Sequence, residues 1–375
     1  MRIATAVFAD GHWSCALPCH MDSERTLLLV FSAPLYFANN APFRELADAF
    51  PRSLMLGCSS AGEILGEKIL DGSVVVGVVQ FEKAHLRQVT RAVSTAADLA
   101  VECEQMARAL DAPDLAGILV LSGGVGLNGS DVARGFRNVF AGRVPIAGGL
   151  AADGDRFART WVLADATPRA GVVSAVAIYG AAARIGHGSR GGWDIFGPER
   201  LITRSHANVL YELDGKPALD LYCKYLGDRA AGLPASALLF PLSVRATRQD
   251  PPVVRTVLAV DERERSITFA GDIEQGSLAL LMRANFERLI RGAGDAGAAA
   301  VIASAGPVCC IAISCVGRRL VLGQRTEEEL EAVRELLPPE TQQLGFYSYG
   351  EITPRGNGGC DLHNQTMTLT TLGEV

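Results

Sequence analysis

Twice in the chain a serine hydroxyl and a carboxylate stand three residues apart, behind a glycine. The stretches Gly57-Cys58-Ser59-Ser60-Ala61-Gly62-Glu63-Ile64 and Gly345-Phe346-Tyr347-Ser348-Tyr349-Gly350-Glu351-Ile352 share five identities in the pattern G-x-x-S-x-G-E-I. A carboxylate beside a hydroxyl can hold an amine, a guanidinium or a second hydroxyl. The glycines permit torsions or close approaches that a Cβ would forbid. A tight turn whose Glu accepts backbone N–H groups would use the same residues, so both readings stand at this point. Covalent chemistry is the least favoured. Cys58 to Gly62 resembles a nucleophile elbow, but Cys58 stands where the first glycine belongs and the chain runs on into a β-rich segment instead of a helix. Cys58 would also need a neighbouring cation or helix N-terminus to become a thiolate. A hydrolase using Cys58 or Ser60 therefore ranks behind binding.

The elements around the two phrases match. Before the first come the apolar run TLLLVF at 26–31, a helical pattern from Pro42 to Phe50, and SLML. Before the second come CCIAIS at 309–314, the helix TEEELEAVRELL, and the run to Leu344. GSVVVGVVQF at 72–81 follows one phrase and NQTMTLTTL at 364–372 the other. Matching context on both sides reads as an internal duplication. The expected fold is α/β with mixed sheets, in two domains of repeated strand-helix-strand-hairpin units, divided as 1–195 and 196–375. In such sheets the strand ends are where ligands bind. A middle stretch repeats the theme more loosely, with a strand GILVLS at 117–122, a helix Ser130 to Phe140 and a strand RVPIAGG. A further helix is expected from Ser94 to Leu110. Gly124 to Gly129 satisfies G-x-G-x-x-G between strand and helix, as a dinucleotide site would, yet Asp131 puts a negative charge where a pyrophosphate should sit. The glycine-rich segment 183–202 reads as a linker, with His187 and Trp193 at the domain junction.

GCSSAGEI, GGLAADG at 148–154, ELDGKPALDLY at 212–222, GFYSYGEI and HNQTMTLTTL at 363–372 resemble, in order, the signature stretches of the FIST family (F-box and intracellular signal transduction proteins). The resemblance implies a bacterial sensory module that binds small ligands, amino acids among those proposed, and some members are thought to bind haem. On that basis we expect Cys58, Ser59, Ser60, Gly62, Glu63, Gly149, Asp153, Tyr349, Gly350, Glu351 and Asn364 to line a ligand cleft. No metal site is expected, and haem, if bound, would take His363 or His187 as its iron ligand. The chain carries no kinase, cyclase or DNA-binding pattern, so it would signal through a separate protein such as a histidine kinase or cyclase. Its first 25 residues depart from the family's helical pattern and hold His12, Cys15, Cys19 and His20 without a Cys-x-x-Cys spacing.

Composition bounds these readings. The 375 residues are 49% hydrophobic and 20% charged, enough for two packed domains. A net charge of -6 offers no basic footprint for nucleic acid. The N-terminus shows no export signal, which places the protein in the cytoplasm and its nine cysteines in the thiol state. Ala296 to Gly317 is uncharged and long enough to span a bilayer, but Gly306-Pro307 breaks it into a helix end, a turn and a buried strand, so no membrane insertion is expected.

Overall fold

The computed structural model describes residues 1–93, 98–354 and 359–375. It is 26% helix and 40% strand, the mixed α/β class expected. The first residues of the helix expected from Ser94 lie outside the described residues.

Alternating burial builds the first unit. In β3 (Thr26–Ser32) every residue is buried, with Leu27, Leu29 and Phe31 facing one core and Leu28 and Val30 another. β1 (Arg2–Ala9) and the short β2 (His12–Trp13) precede it. α1 (Ala41–Ala49) crosses over to β4 (Leu54–Ser59), which lies parallel to β3, as a helical connection requires. A hairpin of β5 (Glu63–Leu65) and β6 (Lys68–Leu70) follows, and β7 (Val74–Gln80) returns antiparallel between β3 and β1.

The same order recurs. The second unit is β8 (His85–Ala92), α2 (Leu99–Leu110), β9 (Leu115–Ser122), α3 (Gly129–Phe140), β10 (Ile146–Leu150), the hairpin β11 (Val162–Ala164) and β12 (Thr167–Arg169), and β13 (Val172–Tyr179). The third opens with β14 (Ala183–Arg190) and is then interrupted by a β-rich lobe. The lobe contains β15 (Asp194–Ile195), β16 (Arg200–His206), β17 (Val209–Leu213), β18 (Lys216–Pro217), α4 (Ala218–Leu226), β19 (Leu242–Arg245), β20 (Val253–Arg255), β21 (Val257–Asp261), β22 (Ser266–Phe269) and β23 (Leu278–Arg283), packed on its own apolar core. The third unit resumes with α5 (Phe286–Ala299), β24 (Cys309–Cys315), α6 (Val316–Leu322), α7 (Thr326–Leu336), β25 (Gln342–Ser348), the hairpin β26 (Glu351–Pro354) and β27 (Cys360–His363), and β28 (Met367–Glu374).

Each hairpin leaves its own unit and completes a neighbour's sheet. β5 pairs with β25 of the third unit, β26 with β10 of the second, and β11 with β4 of the first. Three sheets result, in the orders β12-β11-β4-β3-β7-β1-β2, β27-β26-β10-β9-β13-β8 and β14-β28-β24-β25-β5-β6. Their inner faces share one core, where Phe31 stacks on Phe346 at 4.8 Å. Helices cover the outer faces, α2, α3, α5 and α7 over one cluster and α1 over another.

The segment read as a linker is strand β14 over its first part, paired along its length with β28. Its glycines are there for packing: a Cβ on Gly188 would lie 2.0 Å from the Ala296 carbonyl of α5. The same order of elements also occurs three times along the chain, once more than the paired phrases suggest. Gly57, Gly148 and Gly345 occupy one position in the three units, opposite Val30, Val120 and Ala312 in the parallel ladders. A Cβ there would lie 2.5, 1.8 and 1.7 Å from those residues' carbonyl oxygens. Gly345→Ala is accordingly expected to cost more than about 4 kcal/mol in denaturant unfolding, or to prevent folding. Gly306→Ala, with open space around it, is expected to stay within about 0.5 kcal/mol of wild type.

Candidate functional site

The three strand ends meet. Ala61 N–H donates to Tyr347 O (2.9 Å), Tyr349 N–H to Leu150 O (3.2 Å) and Ala152 N–H to Ser59 O (2.9 Å). In return Tyr347 donates to Gly62 O (2.9 Å), Leu150 to Gly350 O (2.9 Å) and Ser59 to Trp161 O (3.0 Å). These six bonds close a cycle in which every unit binds both others.

Two of the bends carry the serine and glutamate. Glu63 accepts from Ser60 Oγ through one oxygen and from Ser73 N (3.1 Å) and Oγ (2.8 Å) through the other. Glu351 accepts from Ser348 Oγ (2.6 Å), and from Thr366 N (3.2 Å) and Oγ1 (2.8 Å). Both are sealed, at 1% and 0% exposure, and burial raises their carboxyls to about 7 and about 8 despite those donors. In the second unit Val162 stands in the glutamate's place, and Val172 stands where Ser73 and Thr366 do in the others. Residues 153–160 are an added loop there. Asp153 Oδ2 accepts from Ala158 N (3.0 Å) and Arg159 N (2.9 Å), and the Tyr349 hydroxyl donates to Asp153.

The structure thus brings the expected residues together but closes them off. Cys58, Ser59, Ser60, Gly62, Glu63, Gly149, Asp153, Gly350, Glu351 and Asn364 are buried, Tyr349 is 7% exposed, and none lines the clefts described below. Among the described residues each carboxylate already accepts three hydrogen bonds from its own unit's hydroxyl and backbone donors, and neither lines an open cleft. The catalytic reading loses support for a related reason. Burial holds the Cys58 thiol well above its usual range, and the Ser60 hydroxyl is committed to Glu63.

Open space lies where the lobe meets the core. One cleft, of about 700 Å³, runs between α3, β27 and the lobe. Ser130, Arg134 and Arg137 come from α3, Asp361 from β27, and His206, Arg245, Asp250, Arg255, Asp272 and Glu274 from the lobe. Arg137 Nη1 donates to Asp361 (2.5 Å), and Arg134 pairs with Asp131. Arg255 donates to the carbonyls of Asp272 (3.0 Å) and Leu362 (2.8 Å), fixing lobe to core. Asn128 caps α3 by accepting from Ser130 N (3.0 Å) and donates to Asp272 Oδ1 (2.8 Å). The first turn of α3, where a nucleotide phosphate would bind, is thus capped by Asn128 and has Asp131 and Asp272 beside it. Gly124 serves packing instead, because a Cβ on it would lie 1.9 Å from Ala151 O.

A second cleft, of about 600 Å³, shares Pro251 and Val253 with the first and is lined by His187, Trp193, Met282, Thr353 and His363. Burial lowers the pKa of His187. The residue types of the first cleft were missed by motif reading because they come from separated elements. Arg134 and Arg137, one turn apart behind a capping Asn, were the available signal, as was Arg255 inside an apolar strand. Among the described residues no three or more His, Cys, Asp or Glu side chains group to hold a metal ion, and Cys15 and Cys19 are exposed.

The sequence model of the FIST N domain matches residues 26–216, and that of the FIST C domain matches 218–354. The chain belongs to the FIST family. No curated protein matches it. FIST domains are associated with sensing in signal transduction and are generally not catalytic. Among the described residues no helix of this FIST protein is long and apolar enough to cross a membrane.

The buried glutamates make a pH prediction. Unfolded carboxyls ionise from about pH 4.5, whereas the folded ones hold their protons to about 7 and about 8. Their effect on stability is therefore most favourable below about pH 4.5 and is lost as pH rises through that window. Glu351→Gln or Glu63→Gln should flatten this fall in thermal melts, and wild-type melts that rise across the window would contradict the assignment.

Proposed function

We propose that this FIST protein is a sensory module that binds a small polar ligand, amino-acid-like in charge, between lobe and core. It would pass the signal to a separate protein such as a histidine kinase or cyclase. The observation that carries the reading is the first cleft's mixture of fixed guanidinium and carboxylate groups in a volume suited to a small molecule. Among the described residues Arg137 donates through Nη1 to Asp361 and Cys360, and its Nε and Nη2 would meet a ligand carboxylate. Glu274 and Asp250 across the cleft suit an ammonium group. Position adds to this, because a ligand held by both bodies favours one arrangement of them over others.

Calorimetric titration with a panel of amino acids and small carboxylates tests the reading. A binder should emerge whose Kd rises about 30-fold in Arg137→Ala, since a charged hydrogen bond contributes about 2 kcal/mol. Glu351→Gln should bind as wild type does. Indifference of the wild type to the whole panel, or equal affinity in Arg137→Ala, would sink it.

One observation favours a second reading, a haem-based gas sensor: His187 and His363 line the same cleft. Either imidazole would hold the iron, with Trp193, Val253, Val254 and Met282 walling the porphyrin, and the group would supply a gas-binding metal. Haem addition should then give a Soret band that moves with nitric oxide and is lost in a His187→Ala/His363→Ala double variant. Wild-type protein that takes up no haem saturably removes this option.

A further inference from the structure

β8 is the outermost strand of its sheet and pairs only with β13. Val93 N–H donates to Gly171 O at 2.8 Å, toward β13. Alternation along an antiparallel ladder turns the backbone of Val89 and Arg91 the same way and that of Gln88, Thr90 and Ala92 outward. Those outward groups make no hydrogen bond with any other strand among the described residues. The side chains of Gln88, Thr90 and Ala92 line a groove of about 640 Å³, walled across from them by Met55, Asp165 and Arg169. The groove lining holds one acid, Asp165, and one base, Arg169, while β8 itself adds two exposed bases, Arg87, whose Nη2 donates to Ala109 O (3.1 Å), and Arg91, so the edge carries a net positive charge. A second copy adding antiparallel across Val89 would set Arg87 of one chain opposite Arg91 of the other, which is repulsive.

We propose that β8 is a docking edge to which an extended acidic segment of the signalling partner adds as a further strand, its alternate side chains seated in the groove. The proposal rests on the reading that the signal leaves through a separate protein, and it does not depend on which ligand enters the cleft. Main-chain bonds would supply affinity, and the arginines would select acidic over basic or self partners.

Fluorescence anisotropy of the full chain with labelled peptides of alternating Glu and Thr, and of alternating Lys and Thr, tests this. The Glu peptide should bind saturably and weaken with added salt, and the Lys peptide should not bind. Ala92→Pro removes one outward N–H while sparing the ladder to β13, and should weaken the Glu peptide about tenfold at unchanged melting temperature. Should that variant fail to fold, Arg91→Glu with Arg169→Glu should move preference to the Lys peptide. No saturable binding, equal binding of both peptides, or a folded Ala92→Pro chain binding like wild type would overturn the proposal. So would a concentration-dependent dimer broken by Ala92→Pro, since a second copy would then hold the edge. A chain that binds an amino acid in the cleft yet ignores both peptides would sink this proposal alone. A chain that binds the peptide but no small ligand would sink only the cleft reading.

Discussion

Three chains of backbone cannot bend past one another at a common point unless every N–H and C=O displaced from a ladder finds a new partner. Here they find each other. The six bonds among Ser59, Ala61, Gly62, Leu150, Ala152, Trp161, Tyr347, Tyr349 and Gly350 form a closed cycle, so no bend is complete without the other two. Glycine at 57, 148 and 345, on the strands that lead to the bends, has a separate cause, since a Cβ would sit on a carbonyl of the parallel neighbour strand in the same unit. The crossing hairpins follow from the cycle, because a strand leaving such a bend is delivered to the next unit's sheet. The buried glutamates brace two bends by holding the first N–H of the returning segment, at Ser73 and Thr366. Keeping two carboxyls protonated near neutrality costs stability as pH rises, and register is what they provide in exchange.

The centre is closed, and the clefts beside the lobe lie at the periphery, where the units differ. The second unit has given up its glutamate for Val162 and gained the loop anchored by Asp153. The third has taken in a whole lobe after β14. That lobe is tied down at its two crossings by one fully buried cation: Arg318 donates to Gly191 O (2.5 Å) and Leu289 O (2.9 Å) and pairs with Glu329 at 2.7 Å. Glu329 in turn accepts from Ser314 and from the Tyr347 hydroxyl, both at 2.8 Å. A continuous polar chain therefore runs from the lobe's attachment to the residue that also sits in the central cycle. Clefts bounded by lobe and core lie beside this attachment, which gives a ligand held there leverage on the arrangement of the two bodies.

Local order was legible in the chain. The continuous apolar runs of β3, β7 and β24, the helical patterns of α3 and α7 and the paired G-x-x-S-x-G-E-I phrases are all short-range patterns, and each became an element of the fold, although Asn128 and not Ser130 or Asp131 caps α3. The family, too, could be read from ordered motifs. The middle unit was legible only as a looser version of the theme, because Val162 and Val172 stand where the other units have glutamate and a hydroxyl residue and the loop 153–160 shifts its spacing, leaving Gly148 in register. β14 was taken for a linker because its glycines, chosen for the approach of α5, carry no strand propensity.

By itself, then, the sequence determined most of the strands and helices, β14 excepted, and that glycine, serine and glutamate gather at strand ends, since these depend on neighbours along the chain. Only the tertiary structure decided which hairpin joins which sheet, and hence that Glu63 and Glu351 face inward and are used up. It also decided that Arg134 and Arg137 of one helix share a cleft with Arg255, Asp272 and Glu274 of a distant lobe. The physical reason is one of reach: a side chain's role is set by what it is packed against, and the cleft's contacts, such as Asn128 with Asp272 and Arg137 with Asp361, join residues more than a hundred positions apart.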